Sequence, residues 1–438
     1  MRHADCELFR VLLASALPGR RWAGRLSRIQ AARLRQLLSY ACRFSPYYAA
    51  LGRTASDIRG ADGLSRIPVL DRETAQTRSR DLLSREMDPA SYRWRTTTGS
   101  SGRPLELAQT RLEFLHENFL WARGYLEYGA RVRQTQVKVA ARRNIPRNPH
   151  RFQRCGFLRR VYVPAEDPPE AIVQKIRNAQ PHSLVCWSSM LSEICAHLQK
   201  SGERLDIPLV FTSSDMLWPH VRRTAEDLLG ARVVDVYGSI ETGPIAWSCP
   251  SGSGYHVRSD DVVLEILDED GRPARTGRII CTVLWRRATP LIRYALGDLG
   301  EWAQGPCPCG SPFPLLESLR GREQEMVTLP DGAEVTGTAL RICLSDAPSI
   351  RQYQMVQETP DSFFLRVVPG PDFTDETARA IVRAFQEQFR GQVRLRVIRV
   401  GTIPRSPEIK FTSLVTLRQI ERMRRAGRDV RLMVSADP

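Results

Sequence analysis

The chain has 438 residues, 42% of them hydrophobic and 26% charged, the balance of a folded protein with room for more than one core. A net charge of +16 and a pI near 9.8 suit an acidic partner: a polyphosphate, coenzyme A, an acidic carrier protein or nucleic acid. The arginines are spread without the interleaved aromatics of a single-strand binder, which argues against nucleic acid; no apolar run is long enough to cross a bilayer.

The N-terminal 8-LFRVLLASALPG-19 is broken by Arg10 and reads poorly as a secretory signal, so a cytoplasmic enzyme is expected. Leu26, Ile29, Leu34, Leu37 and Leu38 recur near a 3.6-residue period and predict a helix within 24–50 that Pro46 ends. Next comes 96-TTTGSSGRP-104, which buries almost nothing. Its glycines and hydroxyl residues expose backbone N–H and O–H groups together, a way to hold phosphate oxygens; the alternative is a plain surface turn. Leu112, Phe114, Leu115 and the run Phe119 to Tyr125 suggest a further helix.

From 181 onward the pattern alternates: apolar 184-LVCW-187, helical 190-MLSEICAHLQKSG-202 closed by Gly202, apolar 207-IPLVF-211, helical 219-PHVRRTAEDLLG-230, and apolar 232-RVVDVYG-238. Strands alternating with short helices predict a parallel α/β sheet, with ligands at the carboxyl ends of its strands, where Thr212 to Asp215 and Gly238 to Gly243 fall. Between 255 and 300, 262-VVLEIL-267, 278-RIICTVLW-285 and 291-LIRYAL-296 alternate like antiparallel strands around the turn 268-DEDG-271, predicting a small β module beside the sheet. Beyond 322, strands at 351–356, 362–368 and 393–400 surround a helix opened by Thr374 or Asp375, a compact α+β unit, and Arg418 to Arg431 read as a terminal helix with a solvated face. The expected class is therefore α/β, with a large N-terminal domain (1–321) and a small α+β C-terminal domain (322–438), the boundary near 321-GREQ-324.

The loop at 96–104, 237-YGSIETG-243, 294-YALGD-298, 321-GR-322 and 403-IPRSPEIKF-411 occur in the order and approximate spacing of the adenylate-forming enzymes. Within them the chain most resembles the phenylacetate-CoA ligase family, nearest in detail to its branch found near capsular-polysaccharide genes; 64-LSRIPVLDRE-73 and 254-GYHVRSDDVVLEIL-267 extend the resemblance over nearly the whole chain. The resemblance implies a two-step reaction with ATP and Mg²⁺. A carboxylate attacks the α-phosphate, pyrophosphate leaves, and the acyl-adenylate passes its acyl group to a nucleophile.

By resemblance, Thr98, Gly99, Ser100, Ser101, Gly102 and Arg103 form the phosphate loop; many family members carry lysine in place of Arg103. Tyr237 lies against the adenine and Glu241 holds Mg²⁺, with Ser214, Gly238 and Ser239 completing the nucleotide set at the strand ends. Asp298 accepts from the ribose hydroxyls and Arg322 adds a second contact, whereas Arg293 has a structural ion pair as its alternative. Lys410, on a mobile C-terminal domain, swings over the adenylation site and stabilises developing charge. Two positions depart from the family pattern: 408-EI-409 replaces the usual glycines before Lys410, and Gln324 replaces the acidic hinge residue.

Most of the ten cysteines lie singly in apolar surroundings, as Cys186, Cys195, Cys281 and Cys343 do. Cys249 and His256 in 249-CPSGSGYH-256, with Cys307 and Cys309 in 306-PCPCG-310, form two knuckles of soft ligands that predict a structural Zn²⁺ site; a core histidine beside free thiols is the alternative. The function so implied is an AMP-forming carboxylate ligase whose acceptor is the thiol of CoA or of a carrier protein. Rival readings are a ligase with an amine or hydroxyl acceptor and a degenerate nucleotide-binding protein that adenylates nothing. Trp187, Ser188 and Met216 are candidates for the acyl pocket by analogy.

Overall fold

A computed structural model describes residues 25–430 apart from 53–57, 59, 87, 98–104, 147–152, 154–155, 157–158, 338–339, 341, 345–349, 371, 404–412, 426 and 428–429. The phosphate loop 98–103 and Lys410 with its preceding 408–409 lie outside the described residues. The first helix, α1 (Leu26–Phe44), buries Leu26, Leu34, Leu37, Leu38 and Ala41 along one stripe. It stops at Ser45, extended at φ −104° and ψ 118°, because a residue before proline disfavours helical backbone; Pro46 opens a separate short turn, Pro46–Ala49.

A short helix, α2 (Arg72–Thr77), is capped by Asp71, whose side chain accepts from the Thr74 N–H. It leads into a hairpin of β1 (Arg93–Thr97) and β2 (Leu105–Gln109), with Thr97 opposite Leu105, so the Gly/Ser loop joins two paired strands. The next helix, α3 (Arg111–Glu127), starts with a capping box between Thr110 and Glu113.

Five strands then run parallel in the spatial order β4 (Arg160–Pro164), β3 (Gln136–Ala140), β5 (Ser183–Trp187), β6 (Leu209–Ser213) and β7 (Arg232–Ser239). Helices α4 (Pro169–Ala179), α5 (Ser188–Ser201) and α6 (Pro219–Leu229) cover one face through Val137, Val139, Ile172, Ile194 and Val233. The last two end at left-handed Gly202 and Gly230, as the sequence predicts. On the other face lie Tyr125 of α3, Tyr128, Phe211 and Trp247.

The antiparallel strands expected around 255–300 are present, and they extend this sheet rather than standing beside it. β8 (Gly243–Ser248) folds back on β7, and the order continues β9 (Tyr255–Val257), β13 (Leu315–Arg322), β12 (Tyr294–Trp302), β11 (Thr276–Val283), β10 (Val262–Leu267), giving an 11-stranded sheet among the described residues. No strand is predicted from the sequence at β1 to β4, β8, β9 or β13.

After β13, Gln324 lies in the single turn Glu323–Glu325, and a two-stranded ribbon, β14 (Val327–Thr328) with β15 (Glu334–Val335), follows. A four-stranded sheet, ordered β18 (Arg394–Arg399), β17 (Ser362–Pro369), β16 (Ile350–Thr359), β19 (Leu414–Val415), packs with α7 (Asp375–Gln388) around Phe363, Phe385, Phe389 and Leu395, a core of its own. The last helix, α8 (Leu417–Arg425), sets Ile420 and Met423 against Val356 and Phe364.

Candidate active site

The carboxyl ends of β6 and β7 carry special backbone. Ser214, just past β6, has φ 78°, a left-handed conformation that costs a non-glycine residue energy. At the end of β7, a Cβ on Gly238 would lie 2.3 Å from the carbonyl oxygen of Gly243, so only glycine permits the tight return into β8. Within that return the Ser239 N–H donates to Thr242 Oγ1 at 3.3 Å and the Thr242 N–H donates to Ser239 Oγ at 3.3 Å.

This turn sets Glu241 in a buried position, where its Oε1 accepts from Nη1 of Arg72 at 2.8 Å. The other arm of Arg72, Nη2, donates at 2.6 Å to Oγ1 of Thr97, the last described residue before the Gly/Ser loop. Arg72 thus ties the candidate metal carboxylate to the root of the candidate phosphate loop. In the sequence nothing singles out Arg72 beyond its place directly after a capping aspartate.

Tyr237, Asp298 and Arg322 meet across three strands. The phenol of Tyr237 donates to Asp298 Oδ2 at 2.8 Å, and Arg322 Nε lies 3.6 Å from Oδ1, its residue directly opposite Asp298 in the β12–β13 ladder. Burial pushes the Tyr237 phenol well above its ordinary range, and the Asp298 carboxylate adds to that. Burial also raises Asp298, against the pull of Arg322 and the phenol, and Glu241 is near enough to push it further up. The four predicted residues Tyr237, Glu241, Asp298 and Arg322 therefore occupy one neighbourhood.

Two further arginines behave differently. Arg293 is at φ 51° and is bound to Glu265 through Nε and Nη2, both at 3.0 Å, and to the Ile67 carbonyl through Nη1 at 2.6 Å, so it is structural. Arg286 is fully buried over the Trp285 ring, and its Nη2 donates to the Ile240 carbonyl at 3.2 Å. Its Nε and Nη1 have no hydrogen-bond partner among the described residues. Burial lowers its pKa while Glu117, Glu113 and Glu241 oppose that fall. A buried guanidinium with two uncommitted N–H groups beside Glu241 is a cation available to an anionic ligand. In the sequence Arg286 looks like any solvated arginine.

Of the acyl-pocket candidates, Ser188 is buried and donates to the Asp215 carbonyl at 3.1 Å, Trp187 ends β5, and Met216 follows Asp215.

Away from this neighbourhood, one ligand atom each from Cys249, His256, Cys307 and Cys309 falls within 4.8 Å of all the others. Cys249 Sγ is 3.4 Å from Cys307 Sγ, and His256 Nε2 is 3.1 Å from Cys309 Sγ. The other ring nitrogen, Nδ1, sits 3.2 Å from the Phe313 carbonyl, the contact that fixes which nitrogen faces the thiols. Burial opposes ionisation of Cys249, yet hydrogen bonds from Ser251, Cys307 and His256 bring it well below an ordinary thiol. Three thiols and one imidazole at this spacing fit a tetrahedral metal with no open position.

No family model matches the chain. The phenylacetate-coenzyme A ligase of Thermus thermophilus is 24% identical to it, over 90% of this chain and 97% of that enzyme. A crystal structure of 2-hydroxyisobutyryl-CoA ligase in the postadenylation state, with an acyl-AMP bound, superposes with a TM-score of 0.74 at 19% identity, covering 93% of this chain and 92% of that one. A structure of an anthranilate-CoA ligase with anthranoyl-AMP gives 0.57 at 15% identity, over 76% of this chain and 66% of that one. The fold is that of the adenylate-forming CoA ligases. The chain is thus similar along nearly its whole length to that phenylacetate-CoA ligase, and within this fold Arg72 and Arg286 join the residues that the sequence singles out around Glu241.

Proposed function

We propose that this chain is an ATP-dependent, AMP-forming ligase that activates an organic acid as its acyl-adenylate and transfers the acyl group to the thiol of coenzyme A. The observation that carries this reading is the gathering of Tyr237, Asp298, Arg322 and Glu241 beside the root of the Gly/Ser loop. The likeness to CoA ligases over nearly the full chain supports it, and favours CoA over a carrier protein, an amine or a hydroxyl as acceptor.

In the first step a carboxylate oxygen attacks the α-phosphorus of ATP, the bond to the bridging oxygen breaks, and pyrophosphate leaves. In the second, the thiol sulfur attacks the acyl carbon, loses its proton, and AMP leaves. Thr98 to Arg103 hold the phosphates through backbone N–H groups and hydroxyls. Tyr237 offers its ring to the adenine while its phenol orients Asp298, whose remaining lone pairs accept from the ribose hydroxyls. Arg322 adds charge at the ribose and α-phosphate side.

Glu241 is the carboxylate that would hold Mg²⁺, which supplies charge neutralisation to the triphosphate when bound. Arg72 occupies one of its oxygens, so metal binding has to share or displace that ion pair. Arg286 faces the reacting end of the acid with its uncommitted N–H groups. Lys410 closes over the site during adenylation, and Cys249, His256, Cys307 and Cys309 hold a structural Zn²⁺. The setting proposed is the cytoplasm.

Carboxylate-dependent exchange of labelled pyrophosphate into ATP tests the first step, and CoA-thioester formation the second. Absence of exchange across aryl, fatty and amino acids, with ATP still bound, would leave a nucleotide-binding protein in place of the ligase.

A further inference from the structure

On the face of the parallel sheet that α3 covers, one cation has no paired acid among the described residues. Lys138 sits in β3 between Val137 and Val139, which point into the α4 to α6 core, so Lys138 points the other way, beside Val185 of β5 and Tyr162 of β4. It makes no hydrogen bond or ion pair among the described residues. Its charged neighbours are Arg160, Arg95 and Glu117. Glu117 is already committed: it takes Nη1 of Arg95 on both oxygens, at 2.7 and 2.6 Å, and Nε2 of Gln109 at 2.7 Å. Glu113, the next acid along α3, accepts the N–H groups of Thr110, Arg287 and Ala288.

Burial, helped by the two arginines, pulls Lys138 down to about 8, so it stays mostly protonated at neutral pH. A largely buried ammonium with no counter-ion among the described residues is costly, and an anionic ligand group beside it would offset that cost.

The position of Lys138 says whose anion it is. Glu117 Cγ lies 3.4 Å from where a Cβ on Gly243 would be, two residues past Glu241, and the same Glu117 acts on Arg286. Arg95 is in β1, two residues before the Thr97 that holds Arg72. Arg95 and Glu117 act on both Lys138 and Arg286, and Arg286 in turn neighbours Glu241, so Lys138 is linked through shared charged neighbours to the Glu241 site. Two positions back along β3 from Lys138, Gln136 accepts from Nε of Arg160 at 2.8 Å, and both border a small cleft of about 40 Å³ shared with Tyr125, His182 and Ser183.

Resting on the ligase reading above, we propose that the acid this chain activates is a dicarboxylic acid, and that Lys138, with Arg160 behind it, receives the carboxylate that does not react. Arg286 faces the reacting carboxylate; Lys138 takes the distal one. The recognition is a charge-assisted pair in a poorly solvated site, the setting in which removing one partner is felt most strongly.

The test uses matched acids on the full chain: glutarate against butyrate, and terephthalate against benzoate. Pyrophosphate exchange should favour the diacid of a pair in kcat/KM by at least about tenfold, a difference within the reach of one such pair. Lys138→Met should collapse that preference toward one, and Lys138→Arg, which keeps the charge, should retain most of it. In a separate readout without ATP, the favoured diacid should raise Tm of the wild-type chain and leave that of Lys138→Met where it was.

Equal exchange with both members of each pair, or a preference that survives Lys138→Met, overturns the inference while the ligase reading stands. No exchange with any acid, together with a diacid-specific rise in Tm that Lys138→Met abolishes, keeps the anion site and removes the ligase reading. If Lys138→Met does not fold, the wild-type preference and the Lys138→Arg result still decide.

Discussion

Glu241 reads in the sequence as one more acid in a polar segment, and in the fold it is 7% exposed and paired with an arginine 169 positions away. What makes that placement possible is Gly238, because any Cβ there meets the Gly243 carbonyl at 2.3 Å, well inside contact distance with rigid backbone. Gly238→Ala should displace the turn that carries Ser239 and Glu241, weakening ATP binding by about tenfold or more while the far-UV circular dichroism stays that of a folded chain. Isothermal titration with ATP reads the first and spectroscopy the second. Lys410 poses the opposite case: its proposed work is done only as charge develops on the phosphates. Lys410→Ala should therefore cut pyrophosphate exchange by about a hundredfold or more and leave ATP binding nearly intact, and equal turnover in the variant removes Lys410 from the mechanism.

Among the elements, local chemistry set the ends and tertiary contacts set the neighbours. Pro46 splits the first helical stretch at Ser45, Gly202 and Gly230 close two helices in the left-handed region, and Thr110 with Glu113 starts α3. Each of those signals was open to reading along the chain. That the antiparallel strands continue the parallel sheet was not, because the joint is a single hairpin, β7 to β8, whose register depends on the bulge at Gly238.

The Cys and His tetrad binds that part of the sheet at its rim: Cys249 follows β8, His256 is in β9, and Cys307 and Cys309 lie between β12 and β13. Purified protein should carry about one zinc per chain, and chelation or Cys249→Ser should lower Tm without altering the identity of the preferred acid. Metal analysis that finds none in a chain of full stability refutes the site.

Across the whole molecule, buried ion pairs join α3 to the loop between β9 and β10. Arg123 Nη1 meets Asp260 Oδ2 at 2.5 Å, and Glu127 is shared between Arg123 and Arg258. Burial works against the Glu127 carboxylate, but Arg258 and Arg123 hold its pKa below the ordinary value. A carboxylate lowered on folding contributes stability above the normal glutamate range and loses it as pH falls through its folded value. Glu127→Gln should cost about 2 kcal/mol at pH 7, at the lower end for such pairs because the Glu127 side chain is 29% exposed. The gap in urea midpoint between the two chains should hold constant from pH 7 down to the ordinary glutamate range and narrow only below it, and a gap independent of pH throughout would show that packing, not charge, is what the substitution removes.

The sequence by itself determined the α/β class, the alternation that builds the parallel strands, and the candidate residues Tyr237, Glu241, Asp298, Arg322 and the Cys and His tetrad. Those signals are local: glycine where backbone must turn, apolar periods where faces must bury, soft ligands in closely spaced pairs. Only the tertiary structure decided that Arg72 holds Glu241, that Tyr237 donates to Asp298, and that, among the described residues, Arg286 is buried with two uncommitted nitrogens and Lys138 has no counter-ion. A charged side chain carries no mark in the sequence of whether it will be solvated or enclosed; its partners come from distant strands, and burial, which fixes the worth of each charge, exists only once the sheet has closed around it.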